Sequence, residues 1–249
     1  MLSRRAFSLA ALGTLAATAR APGQSGSDAP RTPGVVELFT SQGCSSCPPA
    51  DALMLELAKA PDVIPLTYPV EIWDYLGWKD TLAKPAFTAR QKAYASMVAD
   101  RRVFTPQAVV NGKASCVGSD TSAIRKLRER GANGSGARLA VATTPEGWQI
   151  TPQLITGSMA RLFVLPLILR KDVRIDRGEN RGRIISYAHV VRDIRDAGAL
   201  ENGKPVALTR SDVTAPEADA FALLAQLGTL ESPGLILAAA LVDGSAVKA

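Results

Sequence analysis

Apolar and polar positions change rhythm several times along the chain. Val35-Val36-Glu37-Leu38-Phe39-Thr40 is a short β-rich run that passes through Ser41-Gln42-Gly43 into Cys44-Ser45-Ser46-Cys47-Pro48-Pro49. From Ala50 to Lys59 strong helix formers carry apolar residues at 53, 54 and 57, a helical spacing. Proline is favoured at the first helical position, and the residue before a proline avoids the α region, so the helix is predicted to start at Pro48 or Pro49. A second strand is expected over 63–68 and a second helix over 87–97, where Ala89, Ala93, Tyr94 and Met97 recur at helical spacing. Residues 103–110 lead into Asn111-Gly112, a strong hairpin signal, with a return strand over 114–117 and a closing helix over 122–130. Past Gly131–Gly136 (GANGSG), which reads as a linker, β-rich runs at 138–144, 148–152, 161–169, 184–191, 204–209, 221–227 and 235–242 alternate with turn residues. Only Ser211 to Ala225 has a competing helical rhythm. The pattern predicts an α/β domain over 34–131, a mixed sheet flanked by helices, and then an all-β sandwich-like domain over 137–249.

The amino terminus follows neither rhythm. Ser3-Arg4-Arg5-Ala6-Phe7 is basic, and Ala6 to Ala19 is an apolar run of 14 residues, short of the roughly 18–20 that a membrane span requires. This is the layout of a secretory signal, and the paired arginines before Phe7 resemble a twin-arginine export signal. Residues 1–21 are thus expected to be a signal peptide handled by the export machinery, cut after Ala21 or Ala19, and residues 22–33 a flexible leader rich in Pro, Gly and Ser. The expected location is periplasmic or secreted, in a bacterium, where disulfides persist. Composition agrees with a folded chain: 47% of the 249 residues are hydrophobic and 21% charged. The net charge of +6 includes Arg4, Arg5 and Arg20, so from residue 22 onward 26 basic residues face 23 acidic ones. A nucleic-acid partner is not indicated, and neither is a stable membrane span.

Candidate chemistry centres on Cys44 and Cys47. A Cys-x-x-Cys pair at a helix amino terminus meets unpaired backbone N–H groups and the positive end of the helix dipole, which stabilise a thiolate. Cys44, the outer cysteine, would attack a substrate disulfide, and Cys47, one turn along, would resolve the mixed disulfide. The spacing also fits zinc, copper(I) or a structural disulfide. Structural zinc normally takes four ligands, whereas the chain has three cysteines and one histidine, His189, on the far side of the linker. Copper(I) would suit two soft thiolates but lacks a nearby His or Met partner, Met54 lying along the predicted helix. A structural disulfide closing so short a loop gains little. No metal and no cofactor is expected. Glu37, seven residues before Cys44 in the preceding strand, is a candidate general base for Cys47, because a buried carboxylate with a raised pKa would accept its proton; its other reading is a solvated or paired strand-end glutamate. Trp73, Tyr75 and Trp78 are candidates for an apolar substrate platform, and eight of the 13 aromatic residues fall between Phe39 and Phe104. Their other reading is packing of their own loop. Cys116 reads as a buried inert thiol or a third redox cysteine, and His189 as a surface or core histidine. A binding or assembly protein whose sandwich-like part does the work is the remaining class.

The residues Val36 to Asp51, Trp73-Asp74-Tyr75-Leu76-Gly77-Trp78-Lys79-Asp80, Phe87 to Gln91, and Thr105-Pro106-Gln107 with Val110-Asn111-Gly112 together resemble an uncharacterised family of secreted thioredoxin-like proteins, catalogued as a domain of unknown function. Arg177-Gly178-Glu179-Asn180 through Arg192 resembles its carboxy-terminal part, so the resemblance spans about residues 34–242. It implies a thioredoxin-like fold for 34–131. It also implies that Thr105-Pro106, with Pro106 lying 62 residues after Cys44, is a cis-proline facing the cysteines and shaping the substrate groove. Where the family carries a His and an Asp, this chain has Pro69 and Glu71. The expected activity is thiol–disulfide exchange with a disulfide- or thiol-containing protein or small molecule, served by a separate redox partner.

Overall fold

The computed structural model describes residues 32–97, 102–131, 136–154 and 159–244, so the expected signal peptide, nearly all of the leader and the centre of the linker lie outside the described residues. The first half runs β1 (Gly34–Thr40), α1 (Pro48–Leu57), β2 (Val63–Pro69), a 3-10 turn (Asp74–Leu76), α2 (Pro85–Ser96), β3 (Gln107–Val110), β4 (Ala114–Val117) and α3 (Thr121–Gly131). The second half runs β5 (Arg138–Thr144), β6 (Gly147–Gln153), β7 (Ala160–Arg174), β8 (Ile184–Val191), β9 (Arg195–Ala199), β10 (Val206–Thr209), α4 (Arg210–Val213), β11 (Ala220–Gly228) and β12 (Pro233–Val242).

β1 is buried on both faces, which explains its continuous apolar run. Val36 and Leu38 point to the face covered by α1 and α3, where they meet Ala50, Met54 and Ile124. Val35 and Phe39 point the other way, toward Phe87 and Tyr94 of α2. β2 pairs parallel to β1, β3 pairs antiparallel on its other side, and β4 follows β3 through the Asn111-Gly112 turn. Both turn residues have positive φ, 52° and 66°, the geometry the Asn-Gly signal supplies. Asn111 Oδ1 also accepts the Val35 backbone N–H at 2.7 Å, tying the turn to β1.

The sandwich-like second domain expected over 137–249 is not a separate body. One sheet runs in the order β12-β11-β7-β8-β2-β1-β3-β4, with β9 paired to β7, and the chain from Arg31 onward forms one compact unit. The join is narrow: β8 pairs parallel to β2 at Thr67↔Val190, and two side-chain bonds reinforce it. Thr67 Oγ1 donates to the Ala188 carbonyl at 2.6 Å, and His189 Nδ1 meets the Pro65 carbonyl at 3.0 Å. A smaller sheet, β10-β6-β5, covers one face of the β7, β11 and β12 region, with Trp148 edge-on to Phe221 at 5.0 Å. Two sheets do stack face to face, but one of them is shared with the first half. Over the stretch with the competing helical rhythm, helix is confined to the four residues of α4, and β11 takes the rest from Ala220.

Candidate functional site

Cys44 and Cys47 lie in the turn between β1 and α1 and form a disulfide, with Cα atoms 5.4 Å apart. Cys47 is the amino-terminal cap residue of α1 and Pro48 opens it, where the missing N–H of proline costs no helix bond, so the pair stands at the helix amino terminus. The two sulfurs are not equivalent: Cys44 retains 5% of its surface and Cys47 none. An incoming group therefore meets Cys44 first. Ser46 Oγ lies 3.4 Å from Cys44 Sγ. The loop is braced by the Cys44 N–H donating to Ser41 O at 3.1 Å and the Cys47 N–H donating to Cys44 O at 3.2 Å.

The aromatic segment packs against this loop. Trp78 Nε1 donates to Gln42 Oε1 at 2.8 Å, and Trp73 Nε1 donates to Thr105 Oγ1 at 2.7 Å. Trp73 also closes over Gly43, where an added Cβ would sit 3.0 Å from the Trp73 Cβ. Both tryptophans thus secure the loop, and Tyr75, 75% exposed with its ring 6.1 Å from that of Trp73, is the member of the trio that faces solvent. The Thr105–Pro106 bond is cis. Pro106 flanks the first turn of α1: a Cβ at Gly118 would lie 3.0 Å from the Pro106 Cβ and 3.3 Å from the Ala50 Cβ. Cys44, Cys47, Trp73, Tyr75, Trp78, Thr105 and Pro106 therefore converge around one end of α1.

Glu37 does not join them. Strand residues alternate between faces, and the α1 face of β1 belongs to Val36 and Leu38, so Glu37 projects to the α2 side. There it is fully buried, accepts Arg90 Nε at 2.8 Å and Tyr94 OH at 2.5 Å, and belongs to a network that includes Gln226 of β11. Its role as proton acceptor for Cys47 is corrected to that of a buried ion-pair partner.

The carboxyl on the cysteine side is Asp51, in the first turn of α1 and 1% exposed. Its backbone N–H donates to Cys47 O at 3.1 Å, placing it one helical turn along the same face. Neither of its oxygens has a hydrogen-bond partner; the Thr40 hydroxyl beside it lies outside hydrogen-bond geometry. Burial pushes its pKa up to about 8, Thr40 pulls it partly back and the Asp80 carboxylate adds to the rise. Asp80 itself is raised to about 6, chiefly by burial, against the pull of the Gln42, Leu82 and Ala83 backbone N–H groups it accepts. The Tyr187 hydroxyl, buried and without a partner, is held protonated by its own burial and by these two acids.

A second contributor comes from the carboxy-terminal half. Asn180, fully buried in the turn between β7 and β8, donates through Nδ2 to the carbonyls of both Gln42 and Cys44 at 2.9 Å. Its signal in the sequence was the Arg177-Gly178-Glu179-Asn180 stretch, which reads locally as turn punctuation.

Cys116 sits half-buried on β4, and burial, helped by Asp120, pushes its thiol up to about 11, which disfavours the reactive thiolate. Met54 is buried in the core beside Val36 and Leu38. Among the described residues no group of three or more His, Cys, Asp and Glu side chains is arranged to hold a metal ion, and no helix is long and apolar enough to cross a membrane.

Comparison with known proteins adds a family to this geometry. The crystal structure of protein AGR_C_4864 from Agrobacterium tumefaciens is similar to this chain at 30% identity and a TM-score of 0.73, over 86% of this chain and 96% of that one. HBP35 of Porphyromonas gingivalis is similar in fold alone, with a TM-score of 0.55 at 14% identity, over 86% of this chain and 75% of that one. No curated protein matches. Residues 35–226, which include the cysteine loop, the cis-proline and Asn180, match the family described as protein of unknown function (DUF1223), and the chain belongs to that family.

Proposed function

We propose that the protein is a thiol–disulfide oxidoreductase of thioredoxin-like build, working in the periplasm or outside the cell. The observation that carries this reading is the disulfide at the start of α1, in which Cys44 keeps 5% exposure and Cys47 none, with a buried carboxyl one turn beyond Cys47. The β2-β1-β3-β4 order with parallel β1 and β2, crossed by helices on both faces, and the cis Thr105–Pro106 beside the helix support the thioredoxin-like assignment. The basic and apolar amino terminus supports export.

The exchange balances as follows. In the oxidised form an incoming thiolate attacks Cys44 Sγ; the new S–S bond forms there, the Cys44–Cys47 bond breaks, and the electron pair leaves on Cys47. Asp51, protonated near neutral pH, gives that thiolate its proton. A second thiol of the donor then displaces Cys44, so the donor dithiol is oxidised and the protein holds two reduced cysteines. The reverse sequence reduces a client disulfide: Cys44 thiolate attacks one client sulfur, the other leaves with the electron pair, and Asp51 as carboxylate takes the Cys47 proton. The Cys47 thiolate then attacks Cys44 and expels the client. The partners are therefore a disulfide- or thiol-containing client and a dithiol donor or disulfide acceptor. Exposed Tyr75 and half-buried Thr105, which precedes the buried Pro106, are the surfaces offered to the client on this side of the molecule.

The test is dithiol-dependent reduction of a protein disulfide by the native protein and by Cys44→Ser and Cys47→Ser variants. Loss of turnover in both is expected, with the Cys47→Ser protein trapping a mixed disulfide on Cys44. Unchanged turnover in both removes the proposal.

A further inference from the structure

We infer that Asn180 and Arg183, supplied by the β7–β8 turn, set the reactivity of Cys44 by holding its backbone and draining negative charge from the carbonyl beside its sulfur. The inference rests on the oxidoreductase reading and deepens it. It gives the carboxy-terminal half a part in the redox site.

The geometry is complete on both sides of the amide. Asn180 spends both Nδ2 hydrogens on the cysteine loop, one on Gln42 O and one on Cys44 O, each at 2.9 Å and separated from it by 138 and 136 residues. Its Oδ1 accepts Arg183 Nη1 at 3.2 Å. The Cys44 carbonyl thus receives two donors, Asn180 Nδ2 and the Cys47 N–H at 3.2 Å. A carbonyl oxygen close to a thiolate disfavours it, and hydrogen bonds to that oxygen reduce the effect. The guanidinium on the far side polarises the amide in the same direction, since hydrogen bonds in a chain strengthen one another.

The turn is built to hold this amide still. Gly182 N–H donates to Ile175 O at 2.7 Å, Ile175 N–H to Arg183 O at 2.9 Å and Arg183 N–H to Asn180 O at 3.1 Å, closing the turn on itself. Gly178, at a φ of 75°, comes up against Trp78, where an added Cβ would lie 3.3 Å from the Trp78 Cβ. Trp78 in turn holds Gln42 through Nε1. The turn therefore docks on the two segments that frame Cys44. When the disulfide opens, Cys44 loses its covalent anchor to Cys47, and the Asn180 clamp remains to keep its sulfur at the start of α1.

The experiment is the pH profile of Cys44 alkylation by iodoacetamide in the fully reduced full-length protein, with the Cys44 adduct quantified by mass spectrometry. Asn180→Asp places a carboxylate against two carbonyls and near the thiolate, and the profile is expected to move up by about one pH unit or more. Arg183→Gln removes only the exposed charge and is expected to move it up by a few tenths of a unit, whereas Arg183→Lys keeps a charge at that position and returns it toward the parent. Arg183 is exposed, so this pair stays informative where Asn180→Asp fails to fold. Arg183→Gln and Arg183→Lys profiles that both coincide with the parent overturn the inference, whatever value the parent shows. A parent that fails to turn over disulfides while its Arg183→Gln profile still shifts overturns the enzyme reading alone.

Discussion

Asp51 sits one turn of α1 beyond Cys47, with its backbone N–H on the Cys47 carbonyl at 3.1 Å and its carboxyl sealed in the protein beside Thr40, Asp80 and Tyr187. A carboxyl left in that position without hydrogen-bond partners costs stability when ionised. On the proposed function, its position one helical turn from Cys47 gives the cost a use, as a store for the proton that Cys47 gains or loses.

Asp51→Asn is expected to slow disulfide turnover by roughly 10²-fold, the lower end of what a positioned proton-transfer group contributes, and to remove the limb of the pH–rate profile that lies near pH 8. The same variant has a stability signature of definite sign. Between about pH 4 and 8 the folded protein keeps the Asp51 proton and the unfolded chain has lost it, so the native protein loses stability as pH rises, at about 1.4 kcal/mol per unit. Asp80 adds to the fall up to about pH 6. Asp51→Asn should flatten the slope and unfold later than the parent at pH 8, as read by thermal melts across that range.

Glu37 gives the opposite pair of outcomes. Glu37→Gln leaves the Arg90 guanidinium buried without its counter-charge, although Arg90 still lies over the Tyr94 ring at 5.0 Å. Breaking one half of a buried pair costs about 3–5 kcal/mol, so chemical denaturation should show a large loss of stability. Turnover per folded molecule at a temperature where the variant remains native should match the parent, because the network lies across the sheet from the cysteines. A turnover loss comparable to that of Asp51→Asn would return the proton-acceptor role to Glu37.

These two acids show what the sequence could and could not disclose. The helix start, the cysteine loop, the Asn-Gly turn and nearly every strand of the second half stand where apolar rhythm and turn residues place them. β9, whose sequence Arg195-Asp196-Ala197-Gly198-Ala199 has no apolar alternation, left no such trace. Glu37 lies in a strand buried on both sides, and a run of Val, Val, Leu and Phe carries no parity from which to choose the face it points to. With the helix starting at Pro48, Asp51 falls in its first turn, a position usually solvated; only the packing of β1 and β8 on α1 shows it to be sealed. The union of the two halves in one sheet depends on a single parallel register pair, Thr67↔Val190, which no local pattern encodes. Asn180 was legible as part of a turn, and its partners lie too far away in sequence to be read.

His189 marks that union with its own pH dependence. It has a φ of 45°, a conformation few non-glycine residues adopt, and its ring is bonded to Pro65 of β2. Burial lowers its pKa, with the Pro65 hydrogen bond and Asp219 opposing. The unfolded chain therefore takes up a proton below about pH 6.5 before the folded protein does, so this group's contribution to stability is present above that pH and is lost as pH falls. His189→Asn, which tolerates the left-handed backbone, should remove that acid-side loss while sacrificing the Pro65 bond. Comparing the pH dependence of melting temperature from 7 down to 5 in the two proteins checks it; a parallel pair of curves contradicts the assignment.

The central claim is that Cys44 and Cys47 exchange electrons with other thiols and disulfides, and equilibrium titration of that pair against a dithiol/disulfide redox buffer tests it most directly. The account predicts a single reversible two-electron transition, followed by alkylation of Cys44 and Cys47 with Cys116 unchanged, and the same midpoint from the oxidised and the reduced side. A disulfide that stays closed across the accessible range of dithiol, or opens only when the protein unfolds, would contradict it.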